Sequence, residues 1–229
     1  MDESDLEKEF SIKKTHQTQL KLSKRIIFED RLPEKIETVA GVDVAYTENL
    51  SIGATAVLNY STLQLVESSV SNCRTKFPYV PTLLSLREIP PVLLSIKKLK
   101  TQPDVFLVDG QGFAHPYGCG FASHLGLIIG KPTIGVAKSR LIGERYEKKQ
   151  DIEFLKFKGR TVGAAVTTKQ GSRPVYVSVG HMISLNTAIR IVRYLSTNNR
   201  VPEPTAKAHQ LATAEKRKIN IANYQQKEP

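Results

Sequence analysis

Four consecutive apolar residues, Val105-Phe106-Leu107-Val108, lie between Pro103-Asp104 and Asp109-Gly110. A strand that faces water on one side alternates polar and apolar residues. An unbroken apolar run between turn residues reads instead as a strand buried on both faces. Such a strand needs helices above and below its sheet, which confines the chain to α/β architectures. Val92, Leu93, Ile96 and Leu99 recur at helical spacing behind Pro90-Pro91, where a helix start is expected, and residues 121–130 read as a second helix. Thr133-Ile134-Gly135-Val136-Ala137 is the next buried strand, so this region carries one parallel β-α-β unit.

Upstream, residues 39–46, 53–58 and 65–70 are β-rich, with turn residues at Asn49 and across 59–62, as in a meander of three antiparallel strands. Downstream, residues 161–168 and 174–179 flank Gly171 as a hairpin. Leu185, Ala188, Ile189, Val192 and Leu195 mark the apolar face of a helix. A last, basic helix is expected over 205–222, with a frayed end at 225–229. Leu6, Phe10, Leu20, Leu22, Ile26 and Ile27 suggest an amphipathic helix within 5–30 that packs from outside. The sum is an α/β mixed sheet, three antiparallel strands followed by parallel β-α-β, flanked by helices. No repeat or linker divides residues 1–229, so a single domain is expected.

The chain carries 33 Lys and Arg against 22 Asp and Glu, a net charge of +11. A basic surface attracts polyanions, of which nucleic acid is the commonest in a cell, although charge that only maintains solubility has the same signature. Two cysteines, Cys73 and Cys119, exclude a disulfide scaffold and a four-thiolate zinc site. Asp2, Glu3, Asp5 and Glu7 have the wrong sign for a signal peptide, and the apolar stretch 121–137 is broken by His124 and Lys131. A cytoplasmic protein without membrane association, monomeric by default, is the expectation.

Asp43 is the one charged residue within the β-rich run 39–46. A buried carboxylate needs a partner, which a functional cluster or a local strand-end hydrogen bond would supply. Asp109 ends the doubly buried strand, where residues past the carboxyl ends of parallel strands line ligand crevices. An ordinary Asp-Gly turn is the alternative, disfavoured because a doubly buried strand rarely ends in a hairpin turn. Glu88, just before a proline break, adds a third carboxylate from a third element. Three carboxylates suit a hard divalent cation such as Mg²⁺ and, on a basic protein, suggest phosphodiester hydrolysis. The glycine-rich stretch from Gly110 to Gly126 lacks the third glycine of a dinucleotide fingerprint and the Gly-Lys-Ser/Thr of a P-loop. It fits close backbone approach to a flat ligand, or flexible loop. Tyr79, between Pro78 and Pro81 on a stiffened loop, has the form of a base-pair wedge or of an ordinary surface tyrosine. Lys138 follows a strand and reaches either a phosphate or solvent; His209 lies on the last helix, where a lone histidine is more often structural.

Taken in order, several segments together resemble the endonuclease V family: Val39-Ala-Gly-Val-Asp-Val-Ala-Tyr46, Pro78-Tyr-Val-Pro-Thr-Leu-Leu-Ser-Leu-Arg-Glu88, Val108-Asp-Gly-Gln-Gly112, His115-Pro116, Ala122-Ser-His-Leu-Gly126, Pro132-Thr-Ile-Gly-Val-Ala-Lys138 and Pro204-Thr205 before Ala208-His209. The similarity spans about 36–212. It implies a ribonuclease H-like fold and a Mg²⁺-dependent DNA repair endonuclease, with Mn²⁺ a possible substitute. The implied enzyme recognises deoxyinosine and nicks the second phosphodiester bond 3′ to it, leaving 3′-hydroxyl and 5′-phosphate. By the same resemblance Asp43 and Asp109 hold the metal and Glu88 completes the acidic cluster. Lys138 and His209 position phosphate and water, and Tyr79 is the wedge. Leu84, Gly110, Gly112, Gly120, Gly135 and Leu141 line a hypoxanthine pocket, and His115 supports the strand or the pocket.

Three positions depart from the family pattern: Thr82 stands where Gly is common, Tyr117 where a basic residue is usual, and Ala206 where Arg is usual. The same site fits inosine-containing RNA, which some relatives are known for. A non-catalytic inosine-binding protein is disfavoured, because a pure binder gains nothing from negative charge near phosphates. A junction resolvase would be an obligate dimer and has no use for the wedge loop.

Overall fold

The computed structural model describes residues 3–197 and 199–225. After helix α1 (Glu3–Ser23), strands β1 (Thr38–Tyr46), β2 (Leu50–Asn59) and β3 (Leu65–Arg74) form the expected antiparallel meander. Helix α2 (Ser85–Ile96) leads to β4 (Val105–Val108), and α3 (Phe121–Ile129) connects it to β5 (Thr133–Ala137). A hairpin of β6 (Glu144–Lys149) and β7 (Ile152–Phe157) precedes β8 (Arg160–Val166) and β9 (Val175–His181). Helices α4 (Leu185–Tyr194) and α5 (Glu203–Gln225) follow. The strands form one sheet in the order β3-β2-β1-β4-β5-β9-β8-β7-β6. Only the central pairs β1–β4 and β4–β5 are parallel, which gives the ribonuclease H-like arrangement.

Alternation along β4 divides the core in two. Val105 and Leu107 point into the layer completed by Val192 of α4 and Ala208 of α5. Phe106 and Val108 point into the layer of Ile89 and Val92 from α2 with Phe121 and Leu125 from α3. All four β4 residues are buried, as the uninterrupted run requires. Helix α5 meets β1 at Gly41, where an added Cβ would lie 2.0 Å from the Pro204 carbonyl carbon. Only glycine allows that approach.

Three local expectations need correction. Helix α2 begins at Ser85, so Pro90 and Pro91 are its sixth and seventh residues and Glu88 is helical rather than at a break. Gly53 admits the Pro91 backbone against β2, so tertiary contact supports a helix that two prolines weaken. Helix α1 ends at Ser23, so Ile26 and Ile27, counted among its apolar positions, lie past it, and Ile26 packs into the core. Asp30, in the segment that follows, accepts hydrogen bonds from Ser184 N (2.6 Å) and Thr187 Oγ1 (2.7 Å), fastening it to the start of α4. Residues 144–157 carry no element in the sequence expectation. Strand β6 is exposed throughout, so it shows no apolar alternation to find. Of residues 225–229, expected to fray, Gln225 instead ends α5, and 226–229 lie outside the described residues. No helix among the described residues is long and apolar enough to cross a membrane.

Candidate active site

The parallel register of β1 and β4 pairs Val42 with Val108 and lets Asp109 N donate to Val42 O at 3.0 Å. The next residues along both strands are Asp43 and Asp109. Strand alternation turns them to the α5 face of the sheet. Asp43 is buried; its Oδ1 accepts from Val44 N at 2.8 Å, and its Oδ2 accepts from His209 Nδ1 at 2.6 Å. The close seat of Pro204 on Gly41 carries His209 to this carboxylate from 166 residues away. Lys138, just past the parallel neighbour β5, donates to Asp109 Oδ2 at 2.5 Å.

Ligand atoms of Asp43, Asp109 and His209 all lie within 4.8 Å of one another. Glu88 reaches the same edge from the first turn of α2. It is buried, accepts a long 3.5 Å bond from Tyr46 through Oε1, and has no hydrogen-bond partner for Oε2 among the described residues. Burial, with the Asp43 and Asp109 charges behind it, raises the Glu88 carboxyl well above its ordinary range. Burial and then Asp109 raise Asp43, against the His209 hydrogen bond that favours its charged form. Burial and the Glu88 charge likewise raise Tyr46. An under-neutralised set of carboxylate oxygens with one imidazole and an orphaned buried acceptor fits a hard divalent cation.

Those raised carboxyls tie stability to pH. Asp43 and Glu88 bind protons more tightly folded than unfolded, so their contribution is fully present below their ordinary values of 3.8 and 4.5. It is lost as pH rises through the folded values. Buried histidines such as His115, lowered from 6.5 to about 4, carry the opposite sign up to their ordinary value. Metal-free protein is therefore expected to melt at progressively lower temperature as pH rises from about 6.5 through the folded carboxyl values. Mg²⁺ is expected to restore more of the melting temperature at the upper end. Melts in EDTA and in Mg²⁺ across this range check it; a flat profile in EDTA would contradict it.

Beside the acidic cluster lies a cleft that shares Glu88 as a wall. Tyr79, 68% exposed, stands on its rim, and Leu84, Gly110, His115, Gly120 and Leu141 line it. Gly112 and Gly135 do not. A Cβ on Gly135 would meet Gly112 N at 2.4 Å, and one on Gly112 would meet Val179 O at 2.2 Å. These two glycines pack backbone on backbone outside the lining and set where the 110–112 turn sits. Gln111, Phe121 and Ser85 line the cleft although sequence reasoning did not select them. Gln111 lies inside the Val108–Gly112 segment, so its position was available as a signal. Burial lowers the His115 pKa to about 4, which keeps its ring neutral.

The family model described as Endonuclease V matches residues 20–210. The chain belongs to the endonuclease V family. Endonuclease V of Thermofilum pendens is 45% identical over 210 residues, covering 91% of this chain and 90% of the relative. The crystal structure of endonuclease V from Streptomyces avermitilis superposes with a TM-score of 0.84 at 35% identity, covering 91% of this chain and 94% of that one. That of Ciona intestinalis endonuclease V, in complex with a 24-mer DNA containing an inosine followed by a ribo-adenosine, gives 0.81 at 33% identity, covering 91% and 99%.

Members of the endonuclease V family are nucleases, so the acidic cluster sits in a phosphodiester-hydrolysing scaffold. Of the departures from the family pattern, Ala206 is half-buried on α5, three residues before His209. Tyr117 stacks on His16 with ring centroids 4.0 Å apart. Thr82 has φ +72°, a left-handed conformation that costs a non-glycine residue ~1–3 kcal/mol.

Proposed function

We propose that this chain is a divalent-metal-dependent DNA repair endonuclease that recognises deoxyinosine. It nicks the second phosphodiester bond 3′ to the lesion and leaves 3′-hydroxyl and 5′-phosphate ends. The observation that carries this reading is the cluster of Asp43, Asp109 and His209 next to a cleft that shares the Glu88 wall. The inosine-containing DNA bound by the Ciona relative and the net charge of +11 support it.

Asp43 and Asp109 hold the cation, and Glu88 completes the cluster with its unpartnered oxygen. Mg²⁺, or Mn²⁺ in its place, supplies charge neutralisation and water activation there. Lys138, half-exposed beside Asp109, offers its ammonium to the scissile phosphate. Asp43 fixes the His209 ring through Nδ1, which leaves Nε2 to orient the attacking water. Tyr79 fills the gap left by the displaced base, and the cleft receives that base.

A gel assay on labelled duplex with one deoxyinosine tests this, with undamaged duplex and a riboinosine strand alongside. The expected result is a Mg²⁺-dependent nick one nucleotide beyond the lesion, abolished by EDTA and absent from undamaged DNA. Cleavage of the riboinosine strand alone would reassign the substrate to RNA. Tyr79→Ala is expected to weaken lesion binding about tenfold, since stacking on an aromatic ring is worth ~1–3 kcal/mol per base. Undamaged duplex affinity should stay unchanged.

A further inference from the structure

The turn that carries Tyr79 is closed by local backbone bonds, Leu83 N to Val80 O at 3.0 Å and Leu86 N to Leu83 O at 3.1 Å. Its conformation depends on Thr82, a β-branched residue at φ +72° that prefers other backbone angles. Two side chains of α1 meet this residue. Gln19, 3% exposed, donates from Nε2 to Thr82 O at 2.9 Å and to Cys119 O at 3.3 Å. His16 Nε2 is hydrogen-bonded to Thr82 Oγ1 at 2.9 Å, and its ring stacks on Tyr117 at an interplanar angle of 15°. Thr82 and Gly120, the neighbour of Cys119, both line the cleft. Gln19 therefore ties together two segments of the lining that are distant in sequence. Such a tie has a use, because a side chain inserted into a duplex has to hold one position against the restacking bases.

We propose that α1 clamps the wedge loop: Gln19 and His16 are positioning residues that lock Thr82 to the Cys119-Gly120 turn and so present Tyr79 in one orientation. What Tyr79 meets rests on the proposed function; the clamp itself does not. Glycine adopts φ +72° without strain, so a glycine at this position needs the clamp less. The contribution of Gln19 is thus coupled to the residue at position 82.

Gln19→Leu, Thr82→Gly and the double variant test this by two readouts. The first is amide hydrogen exchange across residues 79–84 in the free protein. Gln19→Leu is expected to speed it about tenfold, with β1 and β4 unchanged. Unaltered loop exchange in a folded Gln19→Leu protein would overturn the clamp whatever the substrate. The second is affinity for deoxyinosine and undamaged duplexes in Ca²⁺ without turnover. Gln19→Leu should lose about tenfold for the lesion duplex alone, and no more than about threefold when introduced into Thr82→Gly. Equal losses in both backgrounds would refute the coupling. Should Gln19→Leu not fold, Thr82→Gly still decides through His16→Ala: the same loss of lesion affinity in both backgrounds would again refute it. A wild-type protein with no preference for the lesion would sink the proposed function, and the exchange readout would still judge the clamp.

Discussion

Asp109→Ala is expected to lower the nicking rate by at least about 10³-fold while the protein stays folded. The carboxylate accepts from Lys138 and stands beside Asp43 and His209, so its loss removes a proposed cation ligand and releases the ammonium proposed to face the phosphate. The effect on stability should have the opposite sign to the effect on activity. Asp109 is the charge that, after burial, most opposes ionisation of Asp43, and it acts on Glu88 as well. Removing it relieves a repulsion that Lys138 and His209 offset in part and that a bound cation would offset further. The variant should therefore melt no lower than wild type in EDTA at neutral pH, and Mg²⁺ should raise its melting temperature much less. Single-turnover nicking and paired melts check both halves. Full activity in this variant would remove the acidic cluster from the chemistry.

Gly41→Ala should damage the same site without touching a functional side chain. The new Cβ would lie 2.0 Å from Pro204 C and O and 2.5 Å from Thr205 N, all backbone atoms that no rotamer change can move. Helix α5 has to retreat by more than an ångström, and His209 retreats with it. Overpacking of this kind costs ~1–3 kcal/mol of stability. A displacement of about 1 Å in a positioning group costs about 10² in rate. A lowered melting temperature with a nicking rate down about 10²-fold is the expected pair of results. Wild-type nicking would show that the contact between α5 and β1 does not place His209.

Much of the fold is local and was legible in the chain. The run Val105–Val108 demanded a doubly covered strand, and the structure buries all four residues between two helical layers. The β-rich segments upstream became the antiparallel meander within a residue or a few at each end. Strand β6 escaped because an exposed edge strand needs no apolar pattern, and the start of α2 escaped because its prolines are supported from outside, at Gly53.

The candidate site divides along the same line. The sequence alone singled out Asp43, the one charge within a β-rich run, and Asp109, which ends a doubly buried run. The parallel pairing of Val42 with Val108, a tertiary result, is what sets the two carboxylates side by side, and strand alternation then turns both to one face. Tertiary structure alone decided that His209 bonds Asp43, that the unpartnered oxygen of Glu88 is buried near them, and that Gln19 reaches across to Thr82. These depend on how whole helices seat against the sheet and the loops around the cleft. Seating is governed by close backbone contacts between distant segments, such as Gly41 under Pro204. A glycine looks the same in sequence whether or not a helix rests on it, so no local pattern carried that information.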